Sequence, residues 1–226
     1  MFPSKIINIY IFARTESYEQ MKLRIIISLA ALLSSFLGMK AQGPEIVIPV
    51  PSQVEFREGF YSFEEQPSVK VSYKAKGLAS PEAYILDITP KGVTIKTLSE
   101  AGEFYARQTL RQMTADGEVK EIRCCRITDA PRFPYRGLHF DVSRHFRSVD
   151  FLKKQMDAMA FFKMNRMHIH LTDAAGWRLQ IDAYPRLTGF AAWRPQRTWK
   201  EWWNGDRHYA EEGSAGAYGG YYTKDD

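Results

Sequence analysis

The feature that most constrains this sequence is a strand, helix, strand pattern between residues 137 and 171. Residues 137–141 read as a short strand, and Ser148 followed by Asp150 is typical of a helix N-terminus. One face of the predicted helix then carries Leu152, Met156, Met159, Ala160 and Lys163. Residues 166–171 read as a second strand. A unit of this length predicts a right-handed crossover in a parallel sheet, and therefore an α/β fold.

The region before this unit has a different character. Short strand patterns and one helix-like segment predict a small α+β region. Residues 83–88 and 92–97 form a predicted hairpin around Thr89-Pro90-Lys91. A further strand is predicted over 69–73, an edge strand over 43–51 and a helix over 103–112.

Two prolines within four residues, Pro131 and Pro134, interrupt regular structure and predict a domain boundary. We therefore divide the chain into a leader (1–42), an α+β domain (43–133) and an α/β domain (134–226). The 92 residues of 135–226 are far fewer than the roughly 250 of a complete eight-stranded α/β barrel. We expect the α/β domain to be incomplete.

The leader resembles a secretory signal peptide. A basic start at Met21-Lys22-Leu23-Arg24 precedes an apolar run over 25–37, and the small residue Ala41 follows at the expected cleavage point. The run has about 13 residues, whereas a membrane-spanning helix needs about 20. We expect translation to start at Met21 and the protein to be exported to the periplasm or secreted, with no membrane span in the mature chain. A buried N-terminal helix is the alternative.

Charge and cysteine content exclude several classes of partner. The whole chain has a net charge of +5, but residues 1–41 contribute five bases and two acids, a surplus of three, so the remainder is only 5 − 3 = +2. That value gives no reason to expect nucleic acid or an anionic membrane as a partner. The two cysteines, Cys124 and Cys125, are adjacent and are interpreted as partly buried strand residues. No metal-binding cysteine spacing is present.

Polar residues follow both strands of the α/β unit, at 141–147 and 172–178. Functional groups of parallel α/β proteins lie beyond the C-terminal ends of strands. Arg144 and Asp173 could therefore face one pocket, where the guanidinium would donate to sugar hydroxyls or a carboxylate and the aspartate would accept from a hydroxyl. The alternative is that the two side chains form a structural ion pair at the rim of the sheet.

Two further patterns suggest other chemistry. His168 and His170 share one face of a strand and could contribute two ligands to a metal, although two are too few alone and a hydrogen-bonded pair explains the same pattern. All five tryptophans lie in the last 50 residues: Trp177, Trp193, Trp199, Trp202 and Trp203. Aromatic faces beside a polar pocket suit sugar rings, but ordinary loop packing explains them equally.

Several blocks of the sequence resemble the β-N-acetylhexosaminidases of glycoside hydrolase family 20. They are residues 131–146 (Pro-Arg-Phe-Pro-Tyr-Arg-Gly-Leu-His-Phe-Asp-Val-Ser-Arg-His-Phe), 168–173 (His-Ile-His-Leu-Thr-Asp), 176–178 (Gly-Trp-Arg), 184–188 and 219–222. The segment 46–112 resembles the family's non-catalytic N-terminal domain, most clearly over 102–110.

The resemblance implies the start of a (β/α)8 barrel, truncated here, that removes terminal non-reducing N-acetylhexosamine from glycans by substrate-assisted retaining catalysis. By position, Arg144 matches the arginine that binds the sugar hydroxyls. Asp173 matches the carboxylate that supports the catalytic acid through a histidine relay. Ala174 stands where many relatives carry a second aspartate. No cofactor or metal is implied.

The family's catalytic Asp-Glu pair and relay histidine lie on later strands, and the printed sequence contains no adjacent Asp-Glu pair. We therefore expect a fragment that binds sugar weakly and hydrolyses nothing alone. Two alternatives are a secreted carbohydrate-binding or decayed module without turnover, and a metal-dependent barrel hydrolase that uses His168 and His170. Neither the preference between N-acetylglucosamine and N-acetylgalactosamine nor the oligomeric state follows from the sequence.

Overall fold

A computed structural model describes residues 47–226. The first part of this range forms a five-stranded sheet in the order β1-β5-β3-β4-β2, in which only the β2–β4 pair is parallel. The strands are β1 (Gln53–Ser62), β2 (Val69–Ser72), β3 (Tyr84–Thr89), β4 (Gly92–Thr97) and β5 (Glu121–Asp129). The predicted hairpin is confirmed, because β3 and β4 pair antiparallel from Tyr84–Thr97 to Thr89–Gly92.

Helix α1 (Glu100–Met113) covers one face of this sheet and is followed by a 3-10 turn at Ala115–Gly117. The helix predicted over 103–112 is therefore confirmed and is longer at its N-terminal end. Its buried apolar side chains pack against alternating residues of the sheet, which produces the larger core of the described chain. Core members include Tyr105, Ala106, Leu110 and Met113 from the helix and Leu86, Ile88, Ile95 and Ile127 from the strands.

The edge strand predicted over 43–51 is wrong for its described part. Residues 47–51 are irregular, residues 43–46 lie outside the described range, and the edge strand that follows them, β1, begins only at Gln53. Pro49 and Pro51 have no N–H group for a ladder. The side-chain amide of Gln112 instead pairs with the Ile48 backbone, at 2.7 Å to its N–H and 2.9 Å to its carbonyl.

The cysteines are strand residues, as predicted, but their burial was underestimated. Cys124 and Cys125 both lie in β5 and both are fully buried. Strand β5 is flanked by β1 and β3. Cys125 belongs to the core beneath helix α1, and Cys124, as the preceding residue of the strand, points to the opposite face of the sheet, where it is equally inaccessible.

The strand, helix, strand prediction is confirmed. Strand β6 (Gly137–Asp141) and strand β7 (Arg166–His170) pair in parallel, and helix α2 (Val149–Phe161) connects them. The helix begins as predicted, because the Ser148 hydroxyl accepts a hydrogen bond from the Phe151 N–H at 3.3 Å. A second apolar cluster lies between the helix and the strands, around Val142, Leu152 and Tyr222.

Two residues of the predicted apolar helix face, Met156 and Lys163, do not belong to its buried face. Leu152 and Met159 are buried, but Met156 is 46% exposed, since a pair of strands is too narrow to cover the whole stripe. Lys163 lies beyond the end of the helix, with a φ of 60°, and its side chain is buried. It is an interior charge rather than part of the helix face.

Lys163 connects the α/β unit to the five-stranded sheet. Its ammonium donates to the Tyr84 hydroxyl at 2.8 Å and lies 3.1 Å from an Asp129 carboxylate oxygen. Beside it, the Arg136 guanidinium lies 2.9 Å from a carboxylate oxygen of Glu82. These five side chains line a cavity of about 260 Å³ between the two parts of the described chain.

After β7 the chain forms short elements connected by turns. They are β8 (Thr172–Asp173), β9 (Gly176–Trp177), helix α3 (Arg186–Gly189), β10 (Trp193–Arg194), helix α4 (Trp199–Asn204) and β11 (Tyr218–Gly219). Strands β8 and β9 form a small antiparallel hairpin, and β10 and β11 also pair antiparallel although helix α4 lies between them in the sequence. Over residues 47–226, no helix is long and apolar enough to cross a bilayer. The predicted leader lies outside the described residues.

Candidate functional site

The C-terminal ends of β6 and β7 meet, as expected for neighbouring parallel strands. Asp141 lies opposite His170 in the register of the sheet, and each is the last residue of its strand. The loop after β6 carries Arg144, and the β8–β9 hairpin after β7 carries Asp173. The topology therefore brings both polar segments identified in the sequence to one edge.

Arg144 and Asp173 contact each other directly. One terminal nitrogen of the Arg144 guanidinium lies 2.7 Å from an Asp173 carboxylate oxygen, and the other donates to Asp141 at 2.7 Å. The backbone N–H of Arg144 also donates to the other Asp141 oxygen, at 3.0 Å. All three side chains are about one third exposed. Two carboxylates thus fix the orientation of one accessible guanidinium.

His170 and the backbone hold Asp173 from the other side. The His170 Nε2 atom lies 3.0 Å from the same Asp173 oxygen that contacts Arg144. The Ala174 N–H donates to the second Asp173 oxygen at 2.6 Å. Asp173 therefore has a partner on each oxygen.

These contacts keep both aspartates ionised. The hydrogen bond from the Ala174 N–H, followed by those from His170 and the charge of Arg144, lowers the pKa of Asp173. Partial burial acts to raise the pKa of Asp141, but the hydrogen bonds and charge of Arg144 outweigh it, and the net pKa is lowered. The Asp141 carboxylate in turn raises the pKa of Arg144. At neutral pH the site holds one fixed positive charge between two negative ones.

The two histidines proposed as metal ligands share a strand face, but a third histidine packs against them. The ring of His139, on β6, lies edge-on to His168 with centroids 4.5 Å apart, and 5.8 Å from His170. Within residues 47–226, no group of three or more His, Cys, Asp or Glu side chains is arranged to hold a metal ion. His170 contacts Asp173, as described above.

Sequence reasoning did not predict that two arginines, Arg178 and Arg194, are buried beneath this edge. Arg178 and Arg194 are both fully buried, and each donates to several backbone carbonyls around the site. One signal could have revealed them. Each is the last residue of a triplet made of a small residue, a tryptophan and an arginine, in Gly176-Trp177-Arg178 and Ala192-Trp193-Arg194.

The tryptophan-rich segment forms an aromatic cluster beside the site. Trp202 is buried and packs on Tyr209, with ring centroids 5.6 Å apart. The Tyr209 hydroxyl accepts a hydrogen bond from the Ala175 N–H at 3.2 Å, in the hairpin that carries Asp173. Trp199 and Trp203 stack at 5.2 Å and are partly exposed. The contribution of these rings to sugar binding stays a prediction.

This geometry defines an α/β protein whose polar site lies at the carboxyl edge of a parallel strand pair, the edge at which α/β proteins bind ligands. Comparison with known families makes the class specific. Residues 133–226 match the model of the glycosyl hydrolase family 20 catalytic domain, and residues 65–130 match the model of glycosyl hydrolase family 20 domain 2. The chain belongs to glycosyl hydrolase family 20.

Individual relatives agree. The chain is 37% identical over 173 residues to a β-hexosaminidase of Akkermansia muciniphila, covering 73% of this chain and 33% of that protein. It is 37% identical over 172 residues to a β-hexosaminidase of Porphyromonas gingivalis, covering 71% of this chain and 20% of the relative. The chain therefore spans one third or less of the length of these relatives.

Solved structures show the same relationship. A crystal structure of a β-N-acetylhexosaminidase aligns with a TM-score of 0.63 and 35% identity, over 82% of this chain and 36% of the other. The exo-β-N-acetylglucosaminidase of Vibrio harveyi in complex with N-acetylglucosamine aligns with a TM-score of 0.64 and 28% identity, over 83% of this chain and 34% of the other.

Proposed function

We propose that this chain is part of a β-N-acetylhexosaminidase, a glycoside hydrolase that removes terminal N-acetylhexosamine from the non-reducing ends of glycans. Family membership supports this, as do relatives named β-hexosaminidase and a solved relative that holds N-acetylglucosamine. The single observation that carries the proposal is the accessible Arg144 guanidinium, fixed between Asp141 and Asp173 at the strand ends.

Arg144 is proposed to bind hydroxyls of the terminal sugar. A guanidinium has five N–H donors, and the contacts to Asp141 and Asp173 account for two of them. The remaining donors, in the fixed planar geometry of the fork, can reach neighbouring hydroxyls of a sugar ring. The two carboxylates preorganise the fork, so less conformational entropy is lost when a sugar binds. An ion pair at the rim and a sugar site are therefore compatible here.

Asp173 is proposed as a supporting carboxylate rather than the acid itself. Its lowered pKa keeps it ionised at neutral pH, which suits a group that orients and stabilises a protonated partner. In the proposed substrate-assisted reaction, the acetamido oxygen of the substrate attacks the anomeric carbon. A separate aspartate orients the acetamido group, and the adjacent glutamate protonates the leaving oxygen. The printed sequence has no adjacent Asp-Glu pair, so that pair would come from another part of the parent protein.

The proposed architecture is the start of a (β/α)8 barrel. Strand β6, helix α2 and strand β7 form one β-α-β repeat of the kind from which such barrels are built, with the polar residues at the C-terminal strand ends. We propose the domain limits 43–133 and 134–226 for the α+β and barrel parts. The parent protein is proposed to be exported through the signal peptide that begins at Met21.

The test is a titration of the purified chain with N-acetylglucosamine, in which binding is monitored by ¹H–¹⁵N spectra and by calorimetry. We expect weak binding, with a dissociation constant on the order of 1 mM, and at least about tenfold weaker binding by Arg144→Ala. Arg57→Ala is the matched control, because Arg57 has the same side-chain exposure as Arg144, 38%, and pairs with an aspartate on the five-stranded sheet. Equal binding by the two variants, or none by the unmodified chain, would contradict the proposal.

Export has its own test. When the parent gene is expressed in a bacterial host, N-terminal sequencing of the mature protein should show residues 1–41 removed. Retention of these residues in a protein recovered from the cytoplasm would refute the proposed leader.

A further inference from the structure

Arg178 is a buried cation surrounded by backbone oxygen atoms. Its side chain donates to the carbonyls of Val142 at 2.9 Å, Ser143 at 2.8 Å, Ala192 at 2.5 Å and Gly220 at 2.9 Å. Val142 and Ser143 immediately precede Arg144, whereas Ala192 and Gly220 flank the paired strands β10 and β11. A single guanidinium thus connects the loop after β6 to two segments that lie 14 and 42 residues beyond Arg178 itself.

Arg194 repeats this arrangement one step closer to the site. It donates to the carbonyl of Arg144 itself at 2.8 Å and to that of Ala175 at 3.1 Å. Two further bonds, to Gln196 at 2.7 Å and Arg197 at 3.0 Å, hold its own loop. Arg194 therefore connects the backbone of the sugar-binding candidate to the hairpin that carries Asp173.

Neither arginine donates to a carboxylate in the described part of the chain. Burial and the nearby charge of Arg194 lower the pKa of Arg178 to about 10, so it is still protonated at neutral pH. Buried charges without a counter-ion are rare, because burial removes their hydration shell. Such a charge is stable only where well-placed dipoles replace the lost water. Here backbone carbonyls supply those dipoles, and their positions are correspondingly constrained.

The backbone is shaped to accept one of these side chains. A Cβ atom on Gly176 would lie 2.1 Å from a terminal nitrogen of Arg178 and 2.7 Å from the Ser143 carbonyl oxygen. The guanidinium therefore passes against the β8–β9 hairpin at a point where only glycine leaves room. Arg178 is built into the contact between the two loops rather than filling a gap beside them.

We propose that Arg178 and Arg194 are positioning residues, which hold the loop after β6 so that the Arg144 guanidinium meets Asp141 and Asp173. This rests on the proposed sugar-binding role of Arg144 and adds the groups on which its placement depends. Neither residue is proposed to touch the sugar. Both act through backbone carbonyls, of Ser143 and Arg144 respectively.

Lysine cannot replace either arginine in this role. The guanidinium presents five donors in a rigid plane, which reach carbonyls on several sides at once. A lysine ammonium is a single point on a flexible stem and can serve only the nearest acceptors. Arg→Lys substitutions therefore retain a cation while removing part of the link between the loops.

The experiment compares Arg178→Lys, Arg194→Lys and the control Arg186→Lys in the full 226-residue chain. Arg186 lies in the same part of the sequence, but its side chain is 69% exposed and pairs with Glu211. Urea unfolding and ¹H–¹⁵N spectra establish whether each variant folds. Carboxyl ¹³C titrations then follow Asp141 and Asp173, and N-acetylglucosamine titrations follow binding.

We expect the pKa values of Asp141 and Asp173 to shift upward toward the ordinary aspartate value in Arg178→Lys and Arg194→Lys, because Arg144 no longer sits between the two carboxylates. Binding of N-acetylglucosamine should weaken about tenfold or more, since small displacements of a positioning group have effects of this size. Arg186→Lys should change neither quantity. A merely structural role would lower stability and leave the titrations of the folded variants unchanged.

The outcomes separate this proposal from the proposed function. If the unmodified chain does not bind N-acetylglucosamine, the function fails, while the carboxyl titrations still decide the positioning role. Unchanged titrations in both folded variants would overturn the positioning role even if the sugar binds. If Arg178→Lys does not fold, Arg194→Lys decides. Unfolding of both would also overturn the proposal, because the pair would then be structural only.

Discussion

Replacing Lys163 by methionine should strongly destabilise the junction between the five-stranded sheet and the α/β unit. The Lys163 and Asp129 side chains are only 8% and 12% exposed, and their charged atoms lie 3.1 Å apart. Lys163 also donates to the Tyr84 hydroxyl at 2.8 Å. Methionine has a similar length and, like lysine, an unbranched side chain, so the positive φ of residue 163 disfavours both residues alike and the substitution removes the charge with little change in packing.

The expected loss in unfolding free energy depends on the hydrogen bonds that Asp129 keeps in the variant. Removing one partner of a buried ion pair costs roughly 3 to 5 kcal/mol, because an uncompensated charge remains. Asp129 keeps hydrogen bonds from the Tyr84 hydroxyl at 2.8 Å, the Ser52 N–H at 3.1 Å and the Ala130 N–H at 3.0 Å. These donors compensate part of the charge, so we expect the lower end of the range, about 3 kcal/mol.

Urea unfolding of the single variants Lys163→Met and Asp129→Asn and of the double variant provides the measurement. The double variant leaves no buried charge at this position, so it should lose less stability than the sum of the two single variants. We expect a coupling free energy of about 1 to 3 kcal/mol. The slope of unfolding free energy against urea concentration should stay the same if only stability changes.

An exposed ion pair serves as the control. Arg57→Met removes a partner of Asp87 on the open face of the sheet, where the Arg57 side chain is 38% exposed, and should lose less than about 1 kcal/mol. A loss below about 1 kcal/mol for Lys163→Met, or strict additivity in the double variant, would refute the reasoning that this is a buried and coupled pair.

Three further predictions use the same unfolding assay. Gly176→Ala should destabilise by about 1 to 3 kcal/mol, because its Cβ would overlap the Arg178 guanidinium, and a loss below 0.5 kcal/mol would contradict the tight packing there. Ser148→Ala should lose about 1 kcal/mol through the missing cap on α2, and Ser148→Thr should retain most of it. Burial acts to raise the pKa of Asp129, but the charge of Lys163 and the hydrogen bonds outweigh it and the net pKa is lowered. The stability that Asp129 contributes is therefore present above the unfolded-state pKa of about 3.9 and is lost as pH falls through the folded-state value, so the difference between the unmodified chain and Asp129→Asn should shrink below about pH 4.

Periodicity predicted the regular elements of the fold well. The hairpin, helix α1 and the β6-α2-β7 unit each depend on contacts close in sequence or on one clear apolar face. The edge strand failed because the apolar run over 43–51 also contains three prolines, and a distant glutamine, Gln112, satisfies the Ile48 backbone. Strand β1 was missed because most of its residues are exposed and alternate only weakly between apolar and polar.

The candidate site was predicted only in part, because its position depends on strand ends whereas its detailed contacts depend on loop conformation. Strand ends are readable from sequence, so the proximity of Arg144 and Asp173 followed from two adjacent parallel strands. The third member, Asp141, was visible among the polar residues of its loop, but its role in holding Arg144 depends on the turn that brings residues 141 and 144 together. Side-chain direction within a loop is not encoded in a periodic pattern.

Buried arginines are the hardest part of this site to predict. Composition rules place arginine at the surface, and Arg178 and Arg194 contradict those rules only because backbone carbonyls from several separate loops converge on them. The convergence exists only after the chain has folded, whereas the exposed Arg144 can be inferred from a single loop. Arg144, the proposed sugar-binding residue of the loop after β6, is therefore predictable from sequence. The arginines that hold this loop, Arg178 and Arg194, are recognisable only in the tertiary structure. Substitutions of Arg178 or Arg194 should therefore change the site without changing any residue proposed to contact the sugar.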